Sequence, residues 1–248
     1  MMTNKPDDKL QKLVSRLEYA CGEDLVAVVL YGSVARDDYH EQYSDVNLLI
    51  VLRHMKPGIY PALAGVLNWW SYEEKLRPPT IMTLEELRES ADVFAIEMLD
   101  IQSSHKTLYG EDVVSDIKVP MNLHRLEVEH DLRTTLLRLR NHLLLTNDGD
   151  EELKVVMAKS VTSVLTLFRH ALIALGENPP HAKPRVLDHA AEVFGFNEKP
   201  IHSVLELRSS GHPVDNVRNL YHAYMEAILT VAHGLDVKVP KRHWQKHA

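Results

Sequence analysis

The chain has 248 residues, 45% hydrophobic and 25% charged, proportions that suit a packed globular core and exclude a low-complexity or disordered protein. A net charge of -7 with neutral histidine argues against a broad basic face, so nucleic acid is not an expected partner. Cys21 is the only cysteine, which excludes a disulfide framework or a zinc-cysteine site, and no stretch reads as a signal peptide or as the roughly 18 apolar residues of a membrane span. The expectation is a cytoplasmic protein without a membrane partner.

From the N-terminus, residues 7–21 repeat apolar side chains at helical spacing (Leu10, Leu13, Val14, Leu17, Ala20, Cys21), and Gly22 follows as a stop. Leu25–Tyr31 and Val46–Leu52 are short, apolar, β-branched runs that predict buried strands, separated by a polar segment from Ser33 to Ser44. Residues 59–76 predict a helix, with Trp69-Trp70 packing it against the sheet. Thr80–Met82 predicts a third, short strand after Pro78-Pro79. Thr83-Leu84-Glu85-Glu86 reads as a capping box that opens a further helix.

Beyond residue 118 the pattern is helical throughout. Leu132, Leu136, Leu139 and Leu143 form one stripe, and residues 151–175 form a longer helix stopped by Gly176. Two shorter helices end near Gly195 and Gly211, and a last one runs from about Val214 to His233, with Gly234 expected as its cap. The fold class is therefore α+β: a mixed sheet with flanking helices over residues 1–118, an all-α bundle over 119–240, and a basic tail, 241–248. His243 and His247 in that tail have helical ligand spacing but read as solvated side chains.

Two segments carry chemistry. Gly32-Ser33 follows the first strand, where glycine lets the backbone turn tightly and the free N–H groups of a following helix suit a phosphate. Ser44-Asp45-Val46-Asn47 opens the second strand, and residues two apart on a strand share a face, so Asp45 and Asn47 aim at one site. The segment VVLYGSVARDDYHEQYSDVNLLI, residues 28–50, resembles the signature of the nucleotidyltransferase superfamily that includes DNA polymerase β and kanamycin nucleotidyltransferase. The resemblance implies transfer of a nucleoside monophosphate from a nucleoside triphosphate to a hydroxyl of a small molecule or protein. It implies phosphate binding by Gly32, Ser33 and Arg36, Mg2+ held at Asp45 and Asn47 as the catalytic and metal residues, and, as in many enzymes of this layout, a homodimer.

The pattern is incomplete. Asn47 stands where the family has its second carboxylate, and residues 78–82 offer no third one. A unit charge pair about 4 Å apart is worth roughly 4 kcal/mol at an effective dielectric of 20. Losing two carboxylates therefore predicts weak metal binding and weak activity, or a non-catalytic nucleotide-binding or interaction module of the same fold. The acids close enough in sequence to compensate are Asp37, Asp38, Glu41, Glu73 and Glu74, and their pattern reads as solvated charge. Glu127 and Glu129 read as surface charge of the helical half. Asn47→Asp together with a new acid at position 79 or 81 is expected to improve metal binding.

Overall fold

The computed structural model describes residues 6–35, 46–146, 149–211 and 214–239. The chain divides into two compact units, 1–120 and 121–248.

In the first unit, α1 (Pro6–Cys21) leads into β1 (Leu25–Tyr31), followed by β2 (Asn47–Leu52), α2 (Tyr60–Asn68), β3 (Thr80–Thr83), α3 (Leu84–Glu89), α4 (Ala95–Ser103) and β4 (His105–Gly110). The sheet order is β3-β2-β1-β4, with β1 antiparallel to both neighbours and β2 parallel to β3. Both faces are covered, which is why β1 and β2 read as unbroken apolar runs rather than alternating ones. Val28, Leu30, Leu48, Ile50 and Leu52 pack with Leu13 and Leu17 of α1 and Leu63 and Val66 of α2. On the opposite face Ala27, Val29, Leu49 and Val51 pack with Leu87 of α3 and Met98 and Ile101 of α4. The capping box at Thr83 forms as read, with Glu86 N–H donating to Thr83 Oγ1 at 3.1 Å and Thr83 N–H to Glu86 Oε2 at 2.7 Å.

Three sequence expectations change here. The helix expected over 59–76 stops being α-helical at Asn68, and Trp69–Glu73 forms a π-turn instead. The strand β4 was not anticipated, because an edge strand with only half-buried side chains carries no continuous apolar signal. Position 81 also faces away from the site. Ile81 joins the layer of α1 and α2, whereas Thr80, paired with Leu49, shares the face of Leu49, Val51 and Asn47.

The second unit contains α5 (Met121–Leu145), α6 (Asp150–Ala174), α7 (Lys183–Phe194), α8 (Lys199–Ser210) and α9 (Val217–Lys238). By length and composition α6 could cross a bilayer, but it is the central helix of this unit. It packs against α5, α7, α8 and α9 and buries Met157, Val161, Val164, Leu165 and Phe168 among them. Gly195 and Gly211 end α7 and α8 in the left-handed conformation expected of them.

Gly234 does not end α9, which continues to Lys238. A Cβ at this position would stand 2.5 Å from Phe194 Cδ1 of α7, so the glycine supplies space for a ring. Alanine favours a helix interior by about 1 kcal/mol over glycine, but overpacking costs about 1–3 kcal/mol. Gly234→Ala is therefore expected to lower stability by about 1 kcal/mol, read as a lower urea midpoint; an unchanged or higher midpoint would show that Phe194 swings aside freely.

Several buried polar side chains of this unit form ion pairs or hydrogen bonds with one another. Glu129, read from sequence as surface charge, is only 8% exposed and is clamped by Arg125 at 3.0 Å and Arg133 at 2.8 Å. A helical period alone does not reveal which charged residue a neighbouring helix covers; here Asp236 of α9 also binds Arg125, at 3.1 Å. His124 and His170 are fully buried and hydrogen-bonded to each other at 2.9 Å.

Candidate functional site

The site forms where β1 ends and β2 begins. Tyr31 pairs with Asn47, so the Gly32-Ser33 turn and Asn47 are neighbours across the sheet. Gly32 has φ +83°, a conformation that costs a side-chain-bearing residue about 1–3 kcal/mol. A Cβ here would also lie 3.0 Å from Asn47 Nδ2. The turn is fixed from the other side by Gly32 N–H donating to Ser104 O at 3.0 Å, just ahead of β4. The strand missed in the sequence thus helps hold the turn that the sequence identified. Ser33 is half-buried and begins a turn through residue 35. Arg36, Asp45 and the acids Asp37, Asp38 and Glu41 lie outside the described residues, as does the helix expected after the turn.

Asn47 is half-buried, and its Oδ1 accepts a hydrogen bond from Arg77 Nη1 at 3.3 Å. Extending the parallel register of Leu49 with Thr80 by two residues sets Pro78 alongside Asn47, so Arg77 immediately precedes the segment 78–82 on which a third carboxylate is expected. Backbone geometry delivers it there. Glu74 N–H closes the π-turn on Trp69 O at 3.1 Å, and Lys75, at φ 56°, is the one non-glycine residue with positive φ among those described. Leu76 N–H then returns to Trp70 O at 3.2 Å, and Trp70 Nε1–H donates to Arg77 O at 2.9 Å. A π-turn followed by a left-handed residue is a constrained arrangement that elsewhere accompanies function.

Of the two described acids near the motif in sequence, Glu74 is engaged elsewhere. Glu74 pairs with Lys9 Nζ at 2.7 Å, and the Lys9 hydrogen bond holds its carboxyl below the usual carboxylate range. Glu73 is exposed. Neither tryptophan is an exposed stacking surface: both are buried, and Arg16 and Lys12 of α1 lie over the Trp69 ring at 4.1 and 5.0 Å. Among the described residues no group of three His, Cys, Asp or Glu side chains could hold a metal ion. A divalent ion prefers charged oxygen ligands. Among the described residues the motif offers one neutral oxygen, that of Asn47, which is bonded to a guanidinium; Asp45, the motif's acid, lies outside them.

A family described as nucleotidyltransferase domain matches residues 8–125, spanning α1, all four strands and the turn. The first unit is a nucleotidyltransferase domain. Among solved structures, the chain is similar to spectinomycin adenyltransferase AAD(9) from Enterococcus faecialis, crystallised with ATP and spectinomycin. The likeness has a TM-score of 0.57 at 14% identity and covers 91% of this chain and 100% of that one, so it shows a shared fold. No curated protein matches the chain in sequence. The family match ends at residue 125, whereas the likeness in fold covers residues of both units.

Sequence reasoning missed Arg77. The signal available was a basic residue immediately before Pro78-Pro79 and the strand that ought to carry an acid.

Proposed function

We propose that the protein binds a nucleoside triphosphate at the Gly32-Ser33 turn and transfers its nucleoside monophosphate slowly to a hydroxyl of a small molecule or protein. The observation that carries this reading is the Gly32 turn, held at positive φ between Asn47 and Ser104 where β1 ends and β2 begins. The similar fold of an adenyltransferase holding ATP and a small acceptor supports the substrate classes. In the reaction, the acceptor oxygen bonds to the α-phosphorus, the bond to pyrophosphate breaks, and the hydroxyl proton passes to a base. Asp45 is the acid that remains of the motif and is assigned that position, with Asn47 orienting and Gly32, Ser33 and Arg36 contacting phosphate. Chemistry without the full set of carboxylates is slow, since each 1.4 kcal/mol lost costs about tenfold. The same reading places the protein in the cytoplasm, as a homodimer.

A second reading, a nucleotide-binding protein without transfer activity, is favoured by Arg77 on Asn47. Pyrophosphate release with ATP, CTP, GTP or UTP and a panel of hydroxylated acceptors separates the two. Slow release that disappears in Asp45→Ala is the expected result. Binding without release selects the second reading, and no binding of any nucleotide overturns both.

A further inference from the structure

The two departures from the family pattern meet in one contact. Asn47 replaces an acid, Arg77 stands beside the strand that lacks one, and the two side chains are hydrogen-bonded at 3.3 Å. Among the described residues, this is the only partner of the Arg77 side chain and no carboxylate neutralises it. The contact occupies one of five guanidinium N–H donors. The rest remain for a planar, forked grip on phosphate oxygens.

We propose that Arg77 is the resident cation of this site, taking over charge neutralisation of a polyphosphate, so that the nucleoside triphosphate binds without a divalent ion. The proposal rests on the nucleotide-binding reading above and adds its cation requirement.

The identity of residue 47 follows from it. An aspartate at this position would pair with Arg77 and cancel the charge that the phosphates need. An asparagine accepts the same hydrogen bond, fixes the guanidinium and leaves its charge available. The amide spans the gap, with Oδ1 on Arg77 and Nδ2 against Gly32, so cation and turn belong to one surface. Arg77 is exposed at its side chain while its carbonyl is tied to Trp70, which combines access for a ligand with a fixed origin for the arm.

The test is calorimetric titration of the full chain with ATP and with inorganic tripolyphosphate, in chelator and in excess magnesium. The wild type is expected to bind both in chelator, with magnesium changing affinity by less than about threefold. Arg77→Ala is expected to lose about tenfold or more in chelator, as for removal of a charged hydrogen bond. Asn47→Asp is expected to weaken chelator binding comparably, whereas a metal site would gain from the added carboxylate. Circular dichroism checks that both variants fold. Binding that needs magnesium and ignores Arg77→Ala overturns the proposal and leaves the nucleotide reading standing. No binding in either buffer overturns both.

Discussion

Trp70→Ala is expected to lower the stability of the first unit by about 3–5 kcal/mol, the cost of deleting a large buried aromatic side chain. Trp70 is 0% exposed and sits in the layer formed by α1, α2 and one face of the sheet. Natural domains hold only about 5–15 kcal/mol in reserve, so this variant stands near the threshold of unfolding at ambient temperature. Trp70→Phe divides the effect. It keeps most of the ring and removes the N–H that anchors Arg77 O at 2.9 Å, for about 1 kcal/mol. The Phe variant should stay folded yet bind tripolyphosphate more weakly, because the arm carrying Arg77 loses its tether. Urea titration followed by far-ultraviolet circular dichroism reads the first quantity, and calorimetry the second. Unchanged ligand binding in Trp70→Phe would show that the π-turn alone positions Arg77.

The second large effect is a change of cation. Combining Asn47→Asp and Thr80→Glu with Arg77→Ala removes the guanidinium and places two acids on one face of adjacent strands. Thr80 is chosen because it pairs with Leu49 on the Asn47 face, whereas Ile81 points into the core. Adjacent strands lie about 4.8 Å apart, and a two-residue offset adds about 6.6 Å along the strand, a span that a glutamate arm can bridge. Each added charge is worth up to roughly 4 kcal/mol at an effective dielectric of 20, and solvent exposure reduces this. A gain on the order of a hundredfold in magnesium or manganese affinity is the expected result, about 2.7 kcal/mol. Triphosphate binding should at the same time become metal-dependent. A triple variant that binds neither ion better than the wild type would mean that the Asn47 face is not the metal-bearing face of the fold.

These expectations reinterpret an incomplete motif. Read as a list of carboxylates, the sequence shows a metal site that has lost two of its parts. The geometry shows a positive side chain brought to the same place by a π-turn, a left-handed lysine and a buried tryptophan. Loss of acids and gain of a guanidinium are then one change of charge logic, and calorimetry in chelator decides it.

Much of the framework was legible in the sequence because it rests on local chemistry. The strands β1 and β2 stand as continuous apolar runs because helices cover both faces of the sheet. The capping box at Thr83 and the left-handed glycines 195 and 211 depend on residues within one turn of themselves. Gly32-Ser33 and Asn47 were recognisable as neighbours because a motif encodes one hairpin's worth of pairing. What only the tertiary structure decided involves partners remote in sequence or poor in local signal. Gly234 looked like a cap, yet it is a gap for Phe194 forty residues away. Glu129 reads as surface charge, yet Arg125 and Arg133 clamp it, and both arginines also reach Asp236 of α9. The edge strand β4 carried too little burial to announce itself, and Arg77 meets Asn47 thirty residues upstream only because the chain reverses at Lys75. Periodicity reports which residues seek the core; strand register and chain reversal determine which of them meet.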